Sequence, residues 1–201
     1  MPTQKLDYAE KSFEDAEAFR GWLSTHHARV PGLWLRFFKK SSGEKTITYA
    51  EALDSALCFG WIDGQVKKGD ERSWLQKFTP RRPKSAWSKR NTQHTERLIK
   101  ASLMQPAGFA QIEAAKTDGR WHAAYDSART AAVPQALAQL LAEPANKKAN
   151  AFFQTLTKAN RYAIIYRLQT AKKPDTRHRR LQAILGMLHA RKTFHPQKSG
   201  D

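Results

Sequence analysis

Residues 61–83 read WIDGQVKKGDERSWLQKFTPRRP, and they restrict the folds open to this chain more than any other stretch. Branched and aromatic residues alternate with polar ones on both sides of KKGDE, which predicts a β-hairpin with arms over about residues 61–67 and 72–79. Pro80 and Pro83 prevent the second arm from running on as a central strand, because proline has no N–H to give to a ladder. The segment that follows, FTPRRPKSAWSKRN at 78–91, is therefore expected where a strand turns into a helix.

Around the hairpin the pattern is mixed. Ser12 and Asp15, with Phe13, Ala16, Phe19, Trp22 and Leu23 at helical spacing, predict a capped helix over about 13–27 that Pro31 and Gly32 break. GLWLRFFKK predicts a strand at about 33–39. Thr48 and Glu51 fit a capping box, opening a helix that buries Ala52, Leu53, Ala56 and Leu57 before Gly60 stops it. A helix over about 86–104, with Ser85 as N-cap and Trp87, Leu98, Ile99 and Leu103 toward a core, comes next. Pro106 and Gly119 bracket another.

Beyond about residue 130 the pattern is wholly helical, with segments over 134–142, 146–156, 158–170 and 176–191. The expected fold class is α+β: a small antiparallel sheet with packed helices over 1–130, a basic all-helical region over 131–195, and a disordered tail at 196–201. Arg177, Arg179 and Arg180 fall near the start of the last helix, where cations oppose the helix dipole.

The formal charge of +17 is unevenly spread. Residues 1–66 hold 8 basic and 9 acidic side chains, and residues 67–201 hold 27 and 9. Such asymmetry attracts polyanions, either a small anionic ligand or nucleic acid along the basic surface. Trp74, Phe78 and Trp87 interleave the cations of 67–100 as stacking would need, yet no RNP motif, KH loop or zinc finger accompanies them. Cys58 is the only cysteine, so an intramolecular disulfide is excluded and a reducing, cytoplasmic location is expected. No membrane span is expected, and the pattern says nothing of oligomeric state.

No cofactor, metal or nucleotide motif is present: HExxH, spaced Cys/His sets, GxxxxGK[ST] and GxGxxG are all missing. Cys58 lies in an apolar run that would raise its pKa and blunt its reactivity. Asp63, between Ile62 and Gly64 and close to Trp61, is a carboxylate among large apolar groups. It is expected either to pair with Arg81 or Arg82 or to serve a ligand or act as a general base. Arg81, Arg82 and Lys84, with Ser85, Ser88 and the first amides of the helix, form a donor set suited to phosphate, sulfate or carboxylate. Trp87 and Asn91 complete the expected ligand-binding group. The rival reading makes this stretch a helix cap that Trp87 staples to the core.

TYAEALDSALCFGWIDGQ (48–65), FTPRRPKSAWSKRN (78–91), MQPAGFAQIEAAKTDGRW (104–121) and KKPDTRHRRLQAILGMLH (172–189) together resemble the YdeI/OmpD-associated, or bacteriocin-protection, proteins. The resemblance implies a bacterial stress-resistance protein linked to bacteriocins or cationic antimicrobial peptides, with no established reaction. Its shared polar positions fall on Asp63, Arg81, Arg82, Ser85, Ser88 and Asn91, beside Trp61 and Trp87. Ser102 departs from it, since relatives often carry glycine there, which argues against a tight close approach after that helix. The resulting expectation is a non-enzymatic binding or stress-protection protein with an anion site at a strand-to-helix junction. The alternatives are a nonspecific nucleic-acid-binding protein and an enzyme using Asp63 as general base.

Overall fold

The computed structural model describes residues 8–197. Two compact units are present: the chain up to Trp87 together with Asn91–Ala123, and Ser88–Arg90 together with the chain from Ala124 onward.

The first unit is α+β. Its elements are β1 (Ala9–Ser12), α1 (Ala16–His26), β2 (Leu33–Phe38), α2 (Tyr49–Cys58), β3 (Trp61–Lys68), β4 (Ser73–Pro80), α3 (Lys89–Lys100) and α4 (Pro106–Thr117). The strands form one sheet in the order β1-β2-β4-β3. Both pairings of β4, with β2 and with β3, are antiparallel as expected, whereas β1 lies parallel to β2 and makes the sheet mixed. The sequence gives no sign of β1: AEKS has no alternation, and all four residues are exposed.

Alternation does its usual work in β2, where Leu33, Leu35 and Phe37 are buried and the residues between them are partly exposed. Helix α1 sets Phe19 edge-on to Phe78 of β4, with ring centroids 6.0 Å apart. Its N-cap is Asp15, whose carboxylate accepts from the Ala18 amide at 2.9 Å, so the helix starts later than the Ser12 pattern suggests. Helix α2 opens on the expected capping box: the Glu51 amide donates to Thr48 Oγ1, and the Thr48 amide donates to Glu51 Oε2.

Helix α3 begins at Lys89, later than the pattern predicts. Trp87 precedes the helix and is buried there, so its apolar side chain does not belong to the helical spacing. The helix closes in a Schellman motif, with Leu103 N donating to Leu98 O and Ser102 N to Ile99 O. Ser102 occupies the left-handed position of that motif at φ 55°, which explains why glycine would suit the site.

The second unit contains α5 (Gln135–Ala142), α6 (Lys147–Thr155), α7 (Lys158–Gln169) and α8 (Pro174–His189) around Leu137, Leu141, Phe153, Ile164, Leu168 and Ile184. The arginines at the start of α8 find a purpose at the end of α7. Arg177 Nη2 donates to Ala171 O at 3.2 Å and Arg180 Nη1 to Arg167 O at 2.6 Å. Charges unfavourable to one helix dipole thus satisfy the orphan carbonyls of the other. Of the tail expected at 196–201, residues 198–201 lie outside the described residues, while Gln197 accepts from the Thr157 amide at 3.1 Å and from Asn160 at 3.0 Å. Among the described residues no helix is long and apolar enough to cross a membrane.

Candidate functional site

The basic stretch leaves β4 at Pro80 and turns at once. Arg81 N donates to Gly60 O at 3.0 Å, and Ser85 N closes a turn onto Arg82 O at 3.1 Å. Pro83 occupies the second position of that turn and Lys84, at φ 64°, the third, the pattern of a type II turn. Ser85 therefore closes the turn and does not cap the helix. Arg82 and Lys84 are exposed at its tip.

Arg81 behaves differently from its neighbours. It is 5% exposed, with its guanidinium carbon 3.5 Å from the centroid of the Trp87 ring and Nη1 donating to Ala86 O at 3.3 Å. Trp87 packs in turn on Trp121, ring centroids 5.0 Å apart. A second buried arginine, Arg120, donates from Nη1 to Ser85 O at 2.9 Å and pairs through Nε with Asp118 at 2.7 Å. Consecutive carbonyls of the loop, Ser85 and Ala86, are thus each held by a buried guanidinium. Nothing local in the sequence marks Arg120 and Trp121, because they lie 35 and 34 positions from Ser85 and Trp87 and TDGRW reads only as an arginine after a turn glycine. Within this braced loop, Ser85 Oγ and Trp87 Nε1 are buried without a hydrogen-bond partner.

Asp63 faces elsewhere. It sits on β3 opposite Phe78, and its Oδ2 accepts from the Tyr49 hydroxyl at 2.8 Å, so the first turn of α2 supplies its hydrogen bond. Tyr49 also lines a cleft of about 340 Å³ with Phe37, Trp74, Lys39 and Lys40. Trp61 is a core residue: it is 1% exposed, and its indole N–H donates to His27 O at 3.0 Å. Asn91 is buried on α3, where its carbonyl accepts from the Thr95 hydroxyl. Cys58 is buried as expected, and that burial pushes its thiol pKa up.

Ser88 belongs to the second unit, where it bridges to Tyr125. Beside it, Lys89 N donates to Tyr125 O at 2.9 Å and Lys89 Nζ pairs with Asp126 at 2.8 Å. The hydrogen bond from Lys89, followed by that from Gln169, holds the Asp126 carboxyl below the usual carboxylate range against the opposing effect of desolvation. The structure thus collects Arg81, Arg82, Lys84, Ser85 and Trp87 in one loop, sets Asp63 against Tyr49, and places Trp61 in the core. Among the described residues no group of three or more histidines, cysteines and carboxylates could hold a metal ion.

A mixed-sheet α+β unit with a buried arginine–tryptophan stack, accompanied by a basic helical unit, defines the class of protein. Residues 11–111 match the family described as a domain of unknown function, DUF8412, and residues 130–191 match the family described as Bacteriocin-protection, YdeI or OmpD-Associated. The chain belongs to the first of these families by a match over half its length, and its helical region is similar to the second over residues 130–191. No curated protein and no solved structure matches it.

Proposed function

We propose that the protein is a non-enzymatic binding protein with a bacteriocin-protection role, and that the loop between β4 and α3 receives an anionic oxygen group of a small ligand. The family match over the helical region supports the role. The observation that carries the ligand class is the pair of buried groups without partners, Trp87 Nε1 and Ser85 Oγ.

An indole N–H only donates, so what completes it is an acceptor. Leaving such a donor unpaired costs about 1–3 kcal/mol, and an oxygen seated there recovers that cost. The Arg81 guanidinium stacked on the same indole ring makes a negatively charged acceptor the best complement, and exposed Arg82 and Lys84 favour its approach.

Calorimetric titration of the full chain with inorganic phosphate tests the reading. Trp87→Phe keeps an aromatic face beneath Arg81 and deletes the donor. It should weaken phosphate binding by about tenfold, the scale of one hydrogen bond to a charged group. Equal affinity in the two proteins, or no affinity in the wild type, would remove the site. Affinity for DNA that falls steeply with salt, in place of phosphate binding, would favour the nucleic-acid alternative.

A further inference from the structure

The second unit contains a cleft of about 390 Å³ lined by Arg167, Arg180, Ala183, Ile184, Met187 and Phe194. Its floor is apolar: Ile184 belongs to the core, and Met187 and Phe194 pack against that core. Among the described residues its charged lining groups are two arginines, and no carboxylate lines it. Around it the chain is strongly cationic, with 14 basic and 4 acidic side chains from Ala124 to Asp201.

Both arginines are held in place, so the charge has a fixed position. Arg167 lies with its guanidinium carbon 3.7 Å from the Phe194 centroid and donates from Nη1 to Ala163 O at 3.0 Å. Arg180 donates from Nη1 to Arg167 O at 2.6 Å and meets Thr170 Oγ1 at 3.5 Å. A guanidinium carries five N–H donors, and these bonds occupy a minority of them. Two fixed cations with donors to spare stand at an apolar cleft.

We infer that this cleft binds a small amphipathic carboxylate, an acid carrying an unbranched aliphatic chain. A carboxylate matches the guanidinium fork as a paired acceptor. The aliphatic chain would cover Ala183, Ile184 and Met187, and methionine's flexible thioether adapts to chains of different shape. Neither half of such a ligand suffices alone. An inorganic anion would leave the apolar wall wet, and a neutral alcohol would leave the cations without a counter-charge. The volume lies at the small end of known ligand pockets, which fits one medium-length chain and excludes a whole phospholipid. This site is separate from the β4–α3 loop and stands whether or not that loop binds phosphate.

Decanoate, kept below its aggregation concentration, is the probe, titrated into the full chain by calorimetry with decanol and acetate as controls. Decanoate should bind at one saturable site, with decanol and acetate at least tenfold weaker. Arg167→Gln should weaken decanoate at least tenfold. Ala183→Phe fills the cleft from an exposed helix position and should abolish binding while leaving the melting temperature unchanged. It decides the matter even where Arg167→Gln fails to fold. Absence of decanoate binding, equal binding of decanol, or undiminished binding by Ala183→Phe would each overturn the assignment. So would binding confined to vesicles of anionic phospholipid, with no affinity for free decanoate.

Discussion

The guanidinium carbon of Arg81 lies 3.5 Å above the ring of Trp87, and both side chains are almost completely buried. A desolvated cation–π pair contributes about 2 kcal/mol, and the arginine stem adds packing. Arg81→Ala is therefore expected to destabilise the protein by about 2 kcal/mol or more, whereas exposed Arg82→Ala should stay within about 0.5 kcal/mol of wild type. Urea unfolding of the two variants side by side checks this. Equal midpoints would mean that the stack adds nothing to the fold.

Helix α4 approaches α2 closely at Gly108. A Cβ there would lie 2.9 Å from Leu57 O and closer still to Cys58 O and the Met104 sulfur. Crowding of that kind costs about 1–3 kcal/mol, which outweighs the roughly 1 kcal/mol that alanine gains over glycine in a helix. Gly108→Ala should lower the denaturation midpoint, and a midpoint at or above wild type would show that the two helices separate freely.

The Schellman motif after α3 invites the opposite change. Ser102 holds a left-handed conformation that costs a residue with a Cβ about 1 kcal/mol. Ser102→Gly should raise the melting temperature by about 2–4 °C for a chain of this size. Arg191, at φ 53° after α8, provides an independent copy of the experiment, because Lys192 N donates to Met187 O and Arg191 N to Leu188 O in the same arrangement. Calorimetric scans showing no rise in either variant would contradict the assignment of strain.

Asp126 sets an acid dependence. Its folded pKa is depressed by Lys89 and Gln169, so its stabilising contribution is fully present above the ordinary carboxylate pKa and lost as pH falls through the lower folded value. Wild type should accordingly be more stable than Asp126→Asn at neutral pH, with the difference shrinking below about pH 4. Denaturant midpoints measured from pH 7 down to pH 3 give the comparison. A difference that grows on acidification would reverse the sign of the effect.

Local chemistry explains which parts of this fold could be read from the residues. The Thr48–Glu51 capping box and the hairpin at KKGDE depend on neighbours a few positions apart, and both stand close to their expected bounds. Helix α3 starts later than its pattern predicts because Trp87 packs on Trp121, 34 residues away, and not along a helical face. The same distance hid Arg120, and the short, polar β1 carried no pattern to find. Arg81, Arg82, Lys84, Ser85 and Trp87 share one stretch of the β4–α3 loop because proline and the turn hold that segment together. Asp63 turned to Tyr49, a partner whose sequence position before α2 suggested only the start of a helix.

Strand β3 is one outer edge of the sheet, and its outer half is exposed. Such an edge offers unpaired backbone groups to any passing strand. Here the ladder slips between Asp63 and Val66, Gly64 interrupts the side-chain row, and Lys67 and Lys68 end it. Two protein copies meeting along this edge would have to align an irregular backbone and bring like charges together. Val66, 64% exposed, can therefore remain on the surface without making the sheet a template for its own polymerisation.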